Sequence, residues 1–181
     1  MSAHPGAVGP FPPGVDPDEY DRLRRRVLWR LPTGLYVLGS RAGERRNLMT
    51  LNWAMQVTTS PKQLAVSVEQ TAHTHELMLE GEGFSLALMD REDRAAVRRF
   101  VKPAAHDPVA RTLAGMPYRD GLSGAPIPAL AAAWLDCRKT ATLPLGSHTV
   151  FVGEVVDVGV GSDGEEVPVL RMEDTRMSYG G

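Results

Sequence analysis

One cysteine in 181 residues is the first shortage of this sequence, and it is joined by few aromatics and by a near balance of charge. Each lack excludes something. Cys137 has no internal disulfide partner, which points to a reducing compartment, here expected to be the cytoplasm. A net charge of −2 gives no reason to expect nucleic acid as a main partner. No apolar run approaches the roughly 20 residues that cross a bilayer, so no membrane association is expected. The first residues hold prolines and glycines where a signal peptide needs an apolar core. Residues 1–17 are therefore expected to form a disordered lead-in. Metal chemistry lacks ligands at suitable spacing. His73 and His75 lie two apart and share no helix face, and neither Cys-x-x-Cys nor His-Glu-x-x-His occurs. Also missing are the Gly-x-Gly-x-x-Gly of a dinucleotide fold, a phosphate-binding P-loop and the Gly-x-Ser-x-Gly of a hydrolase elbow.

What is present reads as one domain over 18–181. Hydrophobic residues at 43% and charged residues at 23% suit a single core. Tyr20, Leu23, Val27 and Leu31 recur at helical spacing, predicting a helix over 18–31 that Pro32 and Gly34 stop. Alternating or apolar runs predict strands over 34–40, 63–69, 84–88, 130–143 and 146–160, with a last one over 167–172 after a turn at 162–164. Residues 47–59 read as one longer extended segment. Thr71 or Thr74 can cap a short helix through Glu80. Asp90 can cap another to about Val101, with Ala96, Val97, Phe100 and Val101 as its buried stripe. Residues 102–128, rich in Pro, Gly and Ala, read as a long excursion of the functional sort. Strands dominate without regular strand–helix alternation, so the expected class is mainly β with a few helices, as a closed or partly closed barrel.

Two segments invite a chemical reading. Arg22, Arg24, Arg25, Arg26 and Arg30 could bind anions or nucleic acid, but Asp18, Glu19 and Asp21 offset them and no stacking platform accompanies them. A solvated helix face is the better account. Asn47 to Ser60 is more informative. Asn47, Thr50, Asn52, Gln56 and Thr58 offer uncharged donors and acceptors, the groups that can read the carbonyls and ring nitrogens of a flavin edge. Trp53 can pack a ring face or fill the core.

Several stretches, in order, resemble the flavin reductase family of FMN-binding split-barrel proteins. Leu31-Pro32-Thr33-Gly34-Leu35-Tyr36-Val37 is similar to the family's opening strand. Asn47-Leu48-Met49-Thr50-Leu51-Asn52-Trp53 and Thr58-Thr59-Ser60-Pro61 are similar to its signature and the turn that closes it. Leu64-Ala65-Val66-Ser67-Val68, then Thr74-His75-Glu76-Leu77, then Gly83-Phe84-Ser85-Leu86-Ala87-Leu88 follow the same pattern. Gly146-Ser147-His148-Thr149-Val150-Phe151-Val152-Gly153-Glu154-Val155 ends it.

The resemblance implies a homodimeric split β-barrel of Greek-key type that binds FMN, with FAD as the alternative, and accepts hydride from NADH or NADPH. It implies that Asn47, Met49, Thr50, Leu51, Asn52, Trp53 and Gln56 flank the flavin. Ser67, Glu69, Gln70 and Thr71 should lie near the ribityl chain, and His73 and Thr74 near the phosphate at a helix start. His148 is the candidate catalytic residue, facing the nicotinamide or the flavin edge, with a structural histidine as the alternative. A flavin-dependent monooxygenase is the expected recipient of reduced flavin. An FMN-dependent reductase of an organic substrate, or a non-enzymatic flavin- or haem-binding protein, would use the same fold. Two positions depart from the family. Ala72 and His73 stand where an arginine or lysine often meets the phosphate, leaving His73, Lys102 or a partner chain to compensate. Ser147 stands where aspartate is common. The tail from Asp174 to Gly181 could return an arginine or tyrosine to the site.

Overall fold

The computed structural model describes residues 7–161 and 167–175. Two compact units are distinguished, a small one that holds the N-terminal helix and a main one, Thr33–Thr175. In the small unit, helix α1 (Pro17–Leu28) starts where Asp16 accepts a hydrogen bond from the Glu19 amide, with Pro17 at its first position. It ends before the expected Leu31. Within the expected lead-in, the Val8 carbonyl accepts from Arg24, and Phe11 meets Tyr20 edge to face. Residues 1–6 lie outside the described residues.

The main unit is built on antiparallel strands: β1 (Tyr36–Ala42), β2 (Arg45–Leu51), β3 (Ala54–Thr59), β4 (Lys62–Glu69), β5 (Gly83–Met89), β6 (His106–Asp107), β7 (Thr112–Leu113), β8 (Met116–Asp120), β9 (Pro126–Pro128), β10 (Ala131–Leu145) and β11 (His148–Val160). Helix α2 (His73–Glu80) lies between β4 and β5. Seven strands form one sheet in the order β2-β1-β5-β10-β11-β4-β3.

That order dictates the sheet's shape. Laid flat, the outer strands of such a sheet would stand about 29 Å apart, at roughly 4.8 Å per spacing. Here the outer strands β2 and β3 are consecutive, joined by Asn52 and Trp53 alone. Three Cα steps reach no further than about 11 Å. The sheet is therefore rolled until its two outer strands meet at this link. Leu51 of β2 and Leu64, Val66 and Val68 of β4 accordingly share one buried cluster with Leu38, Phe84, Leu86, Cys137 and Phe151, and Met78 of α2 joins it. Register shifts at Asp136/Cys137 and Lys139/Ala141 bend the long β10–β11 hairpin. Its two-residue turn needs a positive φ, which Gly146 supplies at +55°.

The expected extended segment over 47–59 thus breaks into β2 and β3. The expected excursion over 102–128 forms a second small sheet, β6-β7-β8-β9. Arg46 of β2 fixes that sheet by a two-pronged contact to Asp120, at 2.9 and 3.2 Å. In place of the expected helix over 90–101 stand two short 3-10 turns, Arg91–Asp93 and Ala96–Phe100. The Thr50 hydroxyl donates to the Val97 carbonyl, which a continuing α-helix would use for its own ladder. Ala96, Val97 and Phe100 are buried as expected, whereas Val101 is exposed. The expected last strand reduces to single bridges, Asp90 to Val169 and Gly34 to Arg171, before a 3-10 turn at Met172–Asp174. The turn expected at 162–164 and the tail from Arg176 lie outside the described residues. Among those described, no helix is long and apolar enough to cross a membrane.

Asn47 ties three parts of this unit together. Its amide nitrogen donates to the Thr74 hydroxyl of α2 at 2.8 Å, and its oxygen accepts from the Ala104 amide at 2.8 Å. Asn47→Ala is expected to leave buried groups unpaired and lower unfolding free energy by about 1–3 kcal/mol. Gln56→Ala, at an exposed amide that donates to the nearby Thr58 carbonyl, should change it by less than about 0.5 kcal/mol. Urea unfolding midpoints compare the two, and equal effects would refute the assignment.

Candidate functional site

The link that joins the sheet's edges also opens the candidate site. Trp53 is partly exposed, and its carbonyl accepts from the Ser67 amide at 3.0 Å, holding the link against β4. Its ring lies 4.9 Å from that of His148, tilted by 52°. His148 opens β11 directly opposite Glu69 at the end of β4. The Ser147 hydroxyl lies 2.9 Å from His148 Nδ1. Gln70 closes the corner: its backbone N–H donates to the Ser147 carbonyl at 2.9 Å, and its amide reaches the His148 carbonyl at 3.4 Å. Trp53, Ser67, Glu69, Gln70 and His148, each predicted from sequence, thus come together. Thr71 is exposed just beyond Gln70.

Asn52 stands apart from its neighbours in one respect. The residue is only 9% exposed, and among the described residues its side-chain amide makes no hydrogen bond, its nitrogen and oxygen still reaching solvent. A primary amide carries up to four hydrogen-bonding positions, here left free to meet water or a ligand. Asn47 and Thr50 differ. Both are buried with their polar side chains bonded inside the protein, so any ligand contact there falls to the backbone. Met49 is half-buried and Leu51 packs in the core. Gln56 is not brought to the His148 corner. It pairs with Leu64, five positions along β4 from Glu69, on the order of 15 Å away.

The start of α2 also departs from expectation. Ala72, and neither Thr71 nor Thr74, occupies the cap position, without a side-chain cap. The Thr74 hydroxyl is buried and takes the Asn47 amide, which leaves it unable to cap. Carboxylates already engage the basic side chains here. Arg45 contacts Glu76 at 2.6 Å and Glu80 at 2.5 Å, and His73 Nδ1 lies 3.5 Å from Glu76. Sequence reasoning missed His75 and Thr149. His75 Nε2 lies 2.8 Å from the Thr149 hydroxyl, and the ring stands edge-on to Phe151 at 5.6 Å. Only the pairing of β4 with β11 brings them together, and no local spacing encodes it.

Burial pushes the His148 imidazole below its ordinary range, and the charge of Glu69 partly opposes this. Burial likewise lowers His75. Both shifts favour the neutral ring. Among the described residues, no group of three or more His, Cys, Asp or Glu could hold a metal ion.

Comparison with known proteins places this geometry in context. Residues 28–179 match the family model described as the flavin reductase like domain. A high molecular weight rubredoxin of Moorella thermoacetica is 31% identical over 144 residues, which cover 77% of this chain and 61% of that protein. The chain thus spans about three fifths of the length of this relative. An NADH-dependent FAD reductase of Streptomyces globisporus is 30% identical over 146 residues, covering 80% of each chain. The solved structure of an NADH:FAD oxidoreductase from the same organism superposes with a TM-score of 0.74 at 27% identity, over 92% of this chain and 96% of that one.

The lowered imidazoles have a pH signature. A histidine whose folded pKa lies below its unfolded value favours the neutral form. Its stabilising share is present above the unfolded value, about 6.5, and is lost as pH falls through the folded one. NMR titration should give His148 a midpoint below that of an exposed histidine. Glu69→Gln, which removes the opposing charge, should lower it further. A rise in that variant would contradict the arrangement.

Proposed function

This chain belongs to the flavin reductase like domain family, and we propose that it is an NAD(P)H-dependent flavin oxidoreductase that binds FMN, or FAD in its place. The observation that carries this reading is the gathering of Trp53, Ser67, Glu69, Gln70 and His148 at one corner, with the solvent-reaching amide of Asn52 next to Trp53 in the chain. A flavin edge of carbonyls and ring nitrogens matches such an amide, which can both donate and accept. When bound, the flavin supplies the hydride chemistry, taking two electrons from the nicotinamide.

The residues of the chain bind and orient. Asn52 reads the ring edge and steadies the charge that reduction leaves there. Trp53 packs a ring face, with Met49 and Leu51 as apolar neighbours. Backbone groups of Asn47 and Thr50 line the same strand, and Gln56 lies at its far reach. Ser67, Glu69, Gln70 and Thr71 follow the ribityl chain. The amides that open α2, with His73 and Thr74, meet the phosphate. His148, held by Ser147, faces the nicotinamide or the flavin edge and stays neutral at working pH. The rolled sheet is a split barrel of Greek-key type that works as a homodimer in the cytoplasm, with residues 18–181 as its domain. Reduced flavin passes to a flavin-dependent monooxygenase.

Oxidation of NADH or NADPH by the purified protein should rise on adding FMN or FAD. A rate indifferent to flavin would overturn the reading. Asn52→Ala should raise the flavin Kd by roughly two- to tenfold, the value of one neutral hydrogen bond, with the urea midpoint little changed. Unaltered affinity would remove Asn52 from the site.

A further inference from the structure

We propose that His75 is a positioning residue for the site: through the Thr149 hydroxyl it fixes the start of β11 and so aims His148 at Trp53. Its weight in the reaction rests on the flavin reading above. His75 Nε2 lies 2.8 Å from the Thr149 hydroxyl, and its ring stands edge-on to Phe151. Thr149 is buried and in register with Val68 of the core, whereas His148 is in register with Glu69. Successive residues of a strand point to opposite faces. Pinning Thr149 inward therefore turns His148 outward, where its ring meets that of Trp53 at 4.9 Å.

The strand needs a hold at this point. His148 is its first residue, directly after the hairpin turn, and Leu143 and Leu145 of the partner strand β10 are exposed there. Backbone bonds fix the register. Gln70 adds only long side-chain contacts, 3.4 Å to the His148 carbonyl and 3.5 Å to the Thr149 hydroxyl. The bond from His75 is the short side-chain tie. Helix α2 is itself anchored one residue earlier, where the Thr74 hydroxyl takes the Asn47 amide of β2 at 2.8 Å. Thr74 and His75 thus form a brace. It runs from the strand that leads into the Asn52–Trp53 link to the strand that carries His148.

Two readouts separate positioning from packing. The first is the NMR signal of the His148 ring protons in protein without flavin, which the nearby Trp53 ring displaces. His75→Phe keeps a ring against Phe151 and loses the hydrogen bond. Thr149→Val keeps the shape of the buried side chain and loses the same bond. Each should move the His148 ring signals, and the double variant should move them no further. His75→Gln, with a donor and an acceptor at similar reach, should restore them. The second readout is kinetic, at saturating FMN. The KM for NADH should rise roughly two- to tenfold in His75→Phe, the value of one neutral hydrogen bond, while kcat changes by less than about twofold. It should recover in His75→Gln. Ring signals or a KM that stay put in His75→Phe, or a His75→Gln protein that behaves like His75→Phe, overturn the proposal and leave the flavin reading standing. Unaltered protein whose NADH and NADPH oxidation ignores FMN and FAD overturns the flavin reading, and the ring signals then decide whether His75 positions His148 at all.

Discussion

A covalent tether of two residues governs this structure. Asn52 and Trp53 join the two outer strands of a seven-stranded sheet, so the sheet can exist only if it rolls. The roll creates the shared core of Leu51, Val66, Phe84 and Phe151. It also sets the tether beside the start of β11 and the end of β4, strands that a flat sheet would hold far from β2. The candidate site is thus a by-product of closure: the chain cannot bring its edges together without laying Trp53 against His148.

Polar side chains near the tether divide by what they bond. Asn47 and Thr50 are satisfied inside the protein and fix the positions of α2, the 3-10 turn at Ala96–Phe100 and the start of the small sheet's segment. Asn52 is more exposed than either, and its amide reaches solvent. A side chain that keeps its donors and acceptors free can take a partner from outside the chain. Polar side chains bonded inside the protein and polar side chains left free therefore share one short stretch that looks uniform on paper.

Much of this was legible in the sequence, for a physical reason. β4 alternates because one face is buried, while β1 and β5 are buried on both faces and read as short apolar runs; both patterns are local signals. The gathering of Trp53, Ser67, Glu69, Gln70 and His148 was legible only through family resemblance, which carries long-range pairing that spacing does not. Failures had the opposite cause. A helix was expected over 90–101 because its residues favour one, yet a hydroxyl from β2 takes the Val97 carbonyl. Thr74 has the right chemistry for a cap, yet Asn47, 27 positions away, claims its oxygen. His75 and Thr149 meet across a strand pairing that neither neighbourhood encodes. Strands of two to five residues, as in β6 to β9, are too short for periodicity to show.

The single thiol gains significance from its surroundings. Cys137 is fully buried, and burial together with the charge of Asp136 pushes it up to about 12. Reduced flavin that escapes into aerated water yields hydrogen peroxide, and peroxide attacks thiolates, not thiols. On the proposed reading, the chain works beside a source of that oxidant. Keeping its one sulfhydryl protonated and walled inside the rolled sheet gives the fold a built-in resistance to self-inflicted oxidation.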